Sequence, residues 1–86
     1  MKLLWIEEGW EDYAFWQKTD KKFVKKINAL IKDSMRTPFE GIGKPEPLKH
    51  NLSSWWSRRI DLEHRLVYKY ENEQILIAAC RYHYEK

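Results

Sequence analysis

The sequence predicts an α+β domain in which an N-terminal strand and a helical hairpin pack on an antiparallel β-sheet. Three observations lead to this fold class. A short strand-like segment comes first, two helix-like segments with apolar residues at three-and-four spacing follow, and three strand-like segments joined by short polar links come last. Because a chain of 86 residues cannot divide its core, one domain spanning residues 1–86 is expected.

Residues 2–6 are predicted to form the first strand, and the first helix follows directly. Acidic side chains stabilise the start of a helix, where the helix dipole is positive. The acidic residues at the start of this helix are Glu7, Glu8, Glu11 and Asp12. The residues expected to form its buried stripe are Trp10, Tyr13, Ala14 and Trp16.

The second helix is predicted to open at Thr19 and Asp20, which are both helix-capping residue types. Its inward face comprises Phe23, Val24, Ile27, Leu30 and Ile31. Its outward face carries Lys21, Lys22, Lys25, Lys26 and Lys32. Pro38 is predicted to end the helix, because proline disfavours helical backbone in the residue before it.

A long loop and an antiparallel meander are expected in the second half of the chain. All three prolines and two of the three glycines lie in residues 37–47, which predicts a loop, and loops of this length are often functional. Residues 55–60, 65–70 and 74–82 read as strands. Their short links favour antiparallel pairing.

Composition restricts the class of protein. Charged residues make up 34% of the chain, mean hydropathy is −0.78, and no segment approaches the ~20 apolar residues of a spanning helix. A cytoplasmic protein without membrane attachment is therefore expected. The only cysteine, Cys80, lies in an apolar run and is predicted to be an inert buried thiol. Without a second cysteine or a clustered histidine pair, no zinc site is predicted.

The charge is unevenly distributed along the chain. The formal net charge is +3, but residues 1–17 hold one base and four acids, whereas residues 18–36 hold seven bases and two acids. A basic helix face is usually only solvated. Here it accompanies basic strands, a combination typical of proteins that bind polyanions.

Five polar residues of the second half form a set that could cleave RNA, namely Glu46, Lys49, Arg59, Arg65 and His83. Attack by a 2′-hydroxyl on the neighbouring phosphodiester needs a base, an acid for the departing 5′-oxygen and positive charge on the phosphate. A glutamate can be the base and a histidine the acid. No metal is obligatory for this chemistry, and no cofactor is expected.

Plainer interpretations of these residues stay open at this stage. Glu46 could be a solvated loop residue, and His83 could belong to a frayed chain end. Arg58, Arg59 and Arg65 could be surface charges or partners of Asp61 and Glu63. His50 and His64 are more typical of structural histidines, whereas Trp55 or Trp56 could stack on a base.

Four segments form an ordered set of motifs: Lys44-Pro45-Glu46-Pro47-Leu48-Lys49-His50, Trp56-Ser57-Arg58-Arg59-Ile60, Glu63-His64-Arg65-Leu66-Val67-Tyr68 and Ala79-Cys80-Arg81-Tyr82-His83-Tyr84. In these motifs the chain resembles the YoeB toxins of bacterial type II toxin-antitoxin systems, which are part of the RelE-like superfamily. The resemblance extends through Trp10, Asp12, Tyr13 and Trp16 to nearly the whole chain. Two departures are Ile6 and Gly9, which stand where relatives usually have serines, so the first helix is expected to lack a favourable N-cap.

The resemblance implies a RelE-like microbial ribonuclease fold and an mRNA endonuclease that acts in the ribosomal A site. It implies that Glu46 is the general base and His83 the general acid. Arg65 would stabilise the pentavalent phosphate with help from Lys49 and Arg59, and Tyr84 would orient the substrate. The products would be a 2′,3′-cyclic phosphate and a 5′-hydroxyl.

The resemblance also implies partners. These are the mRNA and the ribosome with its rRNA, a YefM-type antitoxin whose tail folds over the basic surface, and a second copy of the chain in a homodimer. Operator DNA would be contacted only indirectly, through the antitoxin complex. The rival hypothesis is a non-catalytic binding toxin of the same fold, either a ParE-like gyrase inhibitor or a protein that blocks the A site.

Overall fold

The computed structural model describes residues 1–49, 52 and 54–82, and this part of the chain has the predicted α+β architecture. Its elements in chain order are β1 (Lys2–Trp5), α1 (Glu7–Thr19), α2 (Lys21–Arg36), β2 (Glu46–Pro47), β3 (Trp55–Arg59), β4 (Arg65–Glu71) and β5 (Gln74–Ala79). Within these described residues, neither helix is long and apolar enough to cross a membrane.

The strands form one five-stranded sheet in the order β1-β5-β4-β3-β2. The predicted antiparallel meander is confirmed for β3, β4 and β5. The sheet as a whole is mixed, because β1 pairs in parallel with β5, with Leu3 opposite Ile75. The sequence pattern did not predict the direction of β1. A parallel pair needs a long crossover, which the two helices and the rest of the sheet provide.

The helix boundaries follow the predicted capping pattern. Asp20 caps α2, because its Oδ1 accepts from the backbone N–H groups of Lys22 at 3.0 Å and Phe23 at 3.3 Å. Ile6 occupies the N-cap position of α1 and makes no side-chain cap bond, as the departure from the family pattern predicts. At Gly9, a Cβ atom would lie 2.5 Å from the Ile77 carbonyl oxygen, so α1 approaches β5 too closely for a larger residue without rearrangement.

The helical hairpin packs on one face of the sheet. The buried core comprises Trp16, Ile27, Leu30, Ile31, Ile60, Leu66, Tyr68, Ile75, Ile77 and Cys80. The predicted inward face of α2 is confirmed. For α1 the prediction is partly wrong, because Trp10 is 50% exposed and contacts Trp5 and Tyr13 at the edge of the domain.

Arg58 is fully buried, which corrects its interpretation as a surface or phosphate-binding charge. Its guanidinium donates to Asp33 Oδ2 at 2.7 Å and to the Tyr68 hydroxyl at 3.0 Å. It also donates to the backbone carbonyls of Thr37, Pro38, Glu40 and Ile42. Arg58 thus fixes the loop after α2 against the sheet and supplies the partners that a buried cation requires.

Two predicted boundaries differ from the structure by more than one residue. The end of the 37–47 loop is a strand, because Glu46 pairs with Ser57 and Pro47 with Trp56. Proline is compatible with β2, since β2 is the last strand of the sheet order. The last strand ends at Ala79 and not at residue 82. Residues 80–82 leave the sheet because the Cys80 backbone bonds to α1 side chains, which are described below.

Candidate active site

The face of the sheet away from the helices carries three of the six predicted site residues, Glu46, Arg59 and Arg65. The register places Trp55 opposite Lys69, Ser57 opposite Val67 and Arg59 opposite Arg65. The side chains alternate along each strand, and the intervening residues Leu66 and Tyr68 are core residues. These six paired residues therefore share one face of the sheet, and we call this surface the open face.

Glu46 and Arg65 form an ion pair on the open face. Arg65 Nη1 lies 3.1 Å from Glu46 Oε2 and also donates to Ser57 Oγ at 3.2 Å. Ser57 is buried, and the Arg65 side chain is only 18% exposed, so the guanidinium is held against the sheet. The Glu46 side chain is 58% exposed. The pair therefore presents a carboxylate to solvent beside a fixed cation.

Arg59 and Arg65 lie directly opposite each other in the β3–β4 ladder. Like charges at such a position destabilise a strand pair, and an anion bound between or above them would remove this cost. Lys49 follows Glu46 by three residues and is exposed. This concentration of cations around one carboxylate is chemically suited to a phosphate group.

Four of the six predicted site residues are described in the structure. Glu46, Arg59 and Arg65 come together on the open face. Lys49 lies close to Glu46 in sequence, but within the described residues no hydrogen bond or ion pair joins its ammonium group to them. His83 and Tyr84, as well as His50, lie outside the described residues.

His64 is a residue of the site region that sequence reasoning assigned only a structural role, and that role is confirmed. It is 8% exposed, and its Nδ1 accepts a hydrogen bond from the Tyr82 backbone N–H at 2.6 Å. Its ring packs edge-on against Trp16 and Phe23. The bond to Tyr82, the residue before His83, has no sequence signal, because it joins a turn to a segment 18 residues away.

The β3–β4 turn holds His64 in place. Asp61 Oδ1 accepts from the backbone N–H groups of Glu63 at 2.8 Å and His64 at 2.7 Å. Burial raises the pKa of Asp61, but these hydrogen bonds outweigh it and the pKa is lowered overall. The alternative that Asp61 and Glu63 pair with the arginines is wrong for the described residues, since Arg58 and Arg65 bind Asp33 and Glu46 instead.

Side chains of α1 bind the chain where it leaves β5. Asp12 Oδ2 accepts from the Cys80 N–H at 3.0 Å, and Trp16 Nε1 donates to the Cys80 carbonyl at 2.9 Å. Burial raises the pKa of Asp12. Burial also raises the pKa of the Cys80 thiol to about 12, which confirms the prediction of an inert buried cysteine.

Metal ligands are not clustered in the part of the chain that the structure describes. Within residues 1–49, 52 and 54–82, no group of three or more His, Cys, Asp or Glu side chains is placed to hold a metal ion. The open face offers a carboxylate, a hydroxyl and cations.

Comparison with known proteins identifies the family. A family model described as the YoeB-like toxin of bacterial type II toxin-antitoxin system matches residues 5–84. The chain belongs to this family. It is therefore a toxin of a type II toxin-antitoxin system, and the resemblance to YoeB toxins is confirmed. Toxin YoeB of Escherichia coli strain K12 is 71% identical over 84 residues, which cover 98% of this chain and all of that relative.

Solved structures of YoeB toxins share the fold. The YoeB/ParE toxin from Agrobacterium tumefaciens is similar with a TM-score of 0.93 and 51% identity, covering 98% of this chain and all of that one. YoeB from Staphylococcus aureus was solved as a dimer, with a TM-score of 0.91, 50% identity and 98% of each chain covered. The same S. aureus toxin was also solved in a heterotetrameric complex with YefM, with a TM-score of 0.90 and 50% identity, again covering 98% of each chain.

Proposed function

We propose that this YoeB-like toxin is a ribosome-dependent mRNA endoribonuclease that cuts in the ribosomal A site and so inhibits translation. The single observation that carries the proposal is the Glu46–Arg65 pair, which sets a solvent-exposed carboxylate 3.1 Å from a cation fixed on the open face. A base and a phosphate-binding group must be neighbours in this reaction, since the attacked phosphorus lies next to the 2′-hydroxyl that loses its proton.

In the proposed reaction Glu46 is the general base. Its carboxylate takes the proton of the 2′-hydroxyl, and the 2′-oxygen then bonds to phosphorus. The pairing of Glu46 with Ser57 fixes the backbone beneath this carboxylate, and its 58% exposure lets RNA reach it. A general base held in hydrogen-bond reach typically contributes a factor of roughly 10² to 10⁴ in rate.

We assign to Arg65 the binding and stabilisation of the phosphate, and Arg59 and Lys49 assist it. The guanidinium is oriented by Ser57 Oγ before substrate arrives, so little reorganisation accompanies charge development on the phosphate oxygens. Arg59, opposite Arg65, adds a second cation on the same face. A planar guanidinium suits phosphate better than an ammonium does, because it donates two parallel hydrogen bonds.

His83 is assigned the general acid and Tyr84 the orientation of the substrate, both by resemblance to the family. His83 would donate a proton to the 5′-oxygen as its bond to phosphorus breaks. The reaction then yields a 2′,3′-cyclic phosphate and a 5′-hydroxyl without a cofactor. The anchoring of Cys80 and Tyr82 by Asp12, Trp16 and His64 supports this assignment, because it fixes the backbone immediately before His83.

The proposed partners follow from the S. aureus structures. The dimer and the YefM complex of that toxin support a homodimer and a YefM-type antitoxin for this chain. We propose that the antitoxin covers the basic open face and that operator DNA is contacted only through the antitoxin complex. A ribosome-dependent activity places the protein in the cytoplasm.

The proposal is tested by mapping mRNA 5′ ends by primer extension in a bacterial translation extract, with and without ribosomes. The variants are Glu46→Ala and His83→Ala, and Glu40→Ala is the matched control because it changes an exposed loop glutamate away from the open face. We expect ribosome-dependent cuts with the wild type and the control. The cuts should be lost in the other two variants, which should still bind ribosomes.

Three results would contradict the proposal. Full cleavage by both Glu46→Ala and His83→Ala would show that Glu46 is not the general base and His83 is not the general acid. Arrest of translation without new 5′ ends would identify a protein that blocks the A site, and inhibition of gyrase without effect on translation would identify a ParE-like toxin.

A further inference from the structure

A cavity of about 270 Å³ opens on the sheet and is lined by residues of β3, β4 and β5. Val67 and Ala79, which are paired in the β4–β5 ladder, form part of its floor. Leu48 and Trp55 line it on the β2 and β3 side, and Tyr82 lines it on the β5 side. We call this space the base cavity.

The base cavity lies near the proposed phosphate site, although neither Glu46 nor Arg65 lines it. Its floor residue Val67 lies opposite Ser57, which in turn lies opposite Glu46 and accepts a hydrogen bond from Arg65. Directly opposed side chains in a sheet are separated by only about 5 Å. Leu48 follows Glu46 by two residues and its N–H continues the pairing with β3 by donating to the Trp55 carbonyl at 2.8 Å. A nucleotide whose base lies in the cavity can therefore extend its ribose toward Glu46, which is two strand spacings, roughly 10 Å, from the floor at Val67.

The walls of the base cavity are aromatic and apolar. Trp55 and Tyr82 supply rings, and Leu48, Val67 and Ala79 supply aliphatic surface. Unpaired bases bind proteins chiefly by stacking on aromatic side chains. The Tyr82 ring is held by Arg81, whose guanidinium carbon lies 4.7 Å from its centre and 3.6 Å from the centre of Phe15.

The charged residues that line the base cavity are Glu8 and Arg81. Glu8 lies in the first turn of α1 and is exposed. A carboxylate accepts hydrogen bonds from an exocyclic amino group, as glutamate does from cytosine N4. Adenine, cytosine and guanine carry such a group, whereas uracil presents only carbonyl oxygens at the equivalent positions. The cavity is therefore chemically suited to a base with an amino group.

We propose that the base cavity binds the nucleobase on the 5′ side of the scissile phosphate, and that Glu8 selects bases with an exocyclic amino group over uracil. This inference rests on the proposed function, since it assigns Glu46 the 2′-hydroxyl of the same nucleotide. The 5′ side is assigned because Leu48 and Ser57 join the cavity to Glu46.

The test measures binding separately from cleavage. Methyl-labelled protein is titrated with adenosine 3′-monophosphate, uridine 3′-monophosphate or inorganic phosphate, and the methyl NMR signals of Leu48, Val67 and Ala79 are followed. We expect adenosine 3′-monophosphate to shift these signals at lower concentration than the uridine nucleotide. Inorganic phosphate should leave them in place, because it lacks a base.

The variants separate the two parts of the proposal. Glu8→Ala, which removes the acceptor, should reduce the preference for adenosine over uridine about fivefold or more, the discrimination expected for one good base contact. Glu7→Ala is the matched control in the same helical turn and should leave the preference unchanged. Trp55→Ala should weaken the binding of both nucleotides. Trp55→Phe should bind both more tightly than Trp55→Ala does, because it keeps a stacking ring.

Several outcomes would overturn the inference. Nucleotides that bind without shifting the three methyl signals, or a preference that survives Glu8→Ala, would exclude the base cavity as a base site. Signals that shift with an antitoxin peptide but with no nucleotide would assign the cavity to a protein side chain. Primer extension distinguishes these results from failure of the proposed function, since a toxin that cuts no mRNA could still show the expected methyl shifts.

Discussion

The backbone N–H of Tyr82 donates to Nδ1 of His64 at 2.6 Å, and this bond joins the β3–β4 turn to the segment that leads to the chain terminus. The Tyr82 carbonyl in turn accepts from the Arg65 N–H at 3.1 Å. Tyr82 adopts a φ of +67°, a backbone region that residues other than glycine rarely occupy. Bonds from both its N–H and its carbonyl thus hold Tyr82 in this conformation.

We predict that the acceptor at position 64 controls catalysis more than stability. His64→Phe keeps an aromatic ring against Trp16 and Phe23 but removes the acceptor for Tyr82. The cleavage rate at saturating ribosomes should fall about tenfold to a hundredfold, because misplacement of a catalytic group by about 1 Å has effects of this size. His64→Asn keeps an acceptor and should cleave faster than His64→Phe, although it loses ring packing and should be less stable.

Opposite orders of activity and stability would therefore identify the hydrogen bond as the cause. Rates come from single-turnover cleavage on programmed ribosomes, and stabilities come from urea unfolding. If the rates of the two variants follow their stabilities, His64 acts only through the folded fraction and the prediction is wrong.

Arg58 and Arg59 offer a matched pair for testing stability. Arg58→Lys should destabilise the fold by about 3 to 5 kcal/mol, because an ammonium cannot replace the buried guanidinium that binds Asp33 and four backbone carbonyls. Arg59→Lys, at the exposed neighbouring position, should change the free energy of unfolding by no more than about 0.5 kcal/mol. Urea unfolding measures both, and equal effects would contradict the buried role of Arg58.

The Asp33 carboxylate should make stability depend on pH in the acid range. Hydrogen bonds from the Ile42 N–H and from Arg36 and Arg58 lower its pKa from 3.8 to about 2. The unfolded chain therefore binds a proton more readily than the folded one between these values. The contribution of Asp33 is complete above about pH 4 and is lost as pH falls toward 2. In Asp33→Asn, which lacks this carboxylate, the decline in unfolding free energy from pH 5 to pH 2 should be smaller than in wild type.

Cys80 should resist alkylation until the protein unfolds. A thiol pKa of about 12 in place of 9.0 lowers the thiolate fraction at pH 8 by about a thousandfold, and burial further restricts access. Because the chain has one cysteine, iodoacetamide labelling followed by mass spectrometry reports this site alone. Labelling in the native state within about tenfold of the rate in urea would show that Cys80 is accessible.

Local patterns in the sequence predict much of the fold and part of the candidate site. Alternation along β3 and β4 places Ser57, Arg59 and Arg65 on one face, because short links leave little choice of register for the meander. The same alternation also indicates that Arg58 is buried. Of two consecutive strand arginines one must face the helices, and Arg58 shares that face with the core residue Ile60.

Features that depend on long-range contacts could not be predicted in this way. Glu46 has a proline on either side, so its sequence does not indicate a strand. The strand β2 exists only through its pairing with β3. The early end of β5 depends on Asp12 and Trp16, which compete for the Cys80 backbone from a helix more than 60 residues earlier. The parallel pairing of β1 likewise depends on the rest of the sheet, which leaves the edge of β5 open for β1.

The central claim, attack by the 2′-hydroxyl activated by Glu46, is tested most directly with an mRNA that lacks this hydroxyl. One 2′-deoxynucleotide is placed on the 5′ side of the mapped cut, and a control mRNA carries the deoxynucleotide one position further upstream. The account predicts that wild-type toxin on programmed ribosomes cuts the control and leaves the first mRNA intact at that position. Cleavage of both at the same phosphate would contradict the account, because the attacking oxygen would then come from elsewhere.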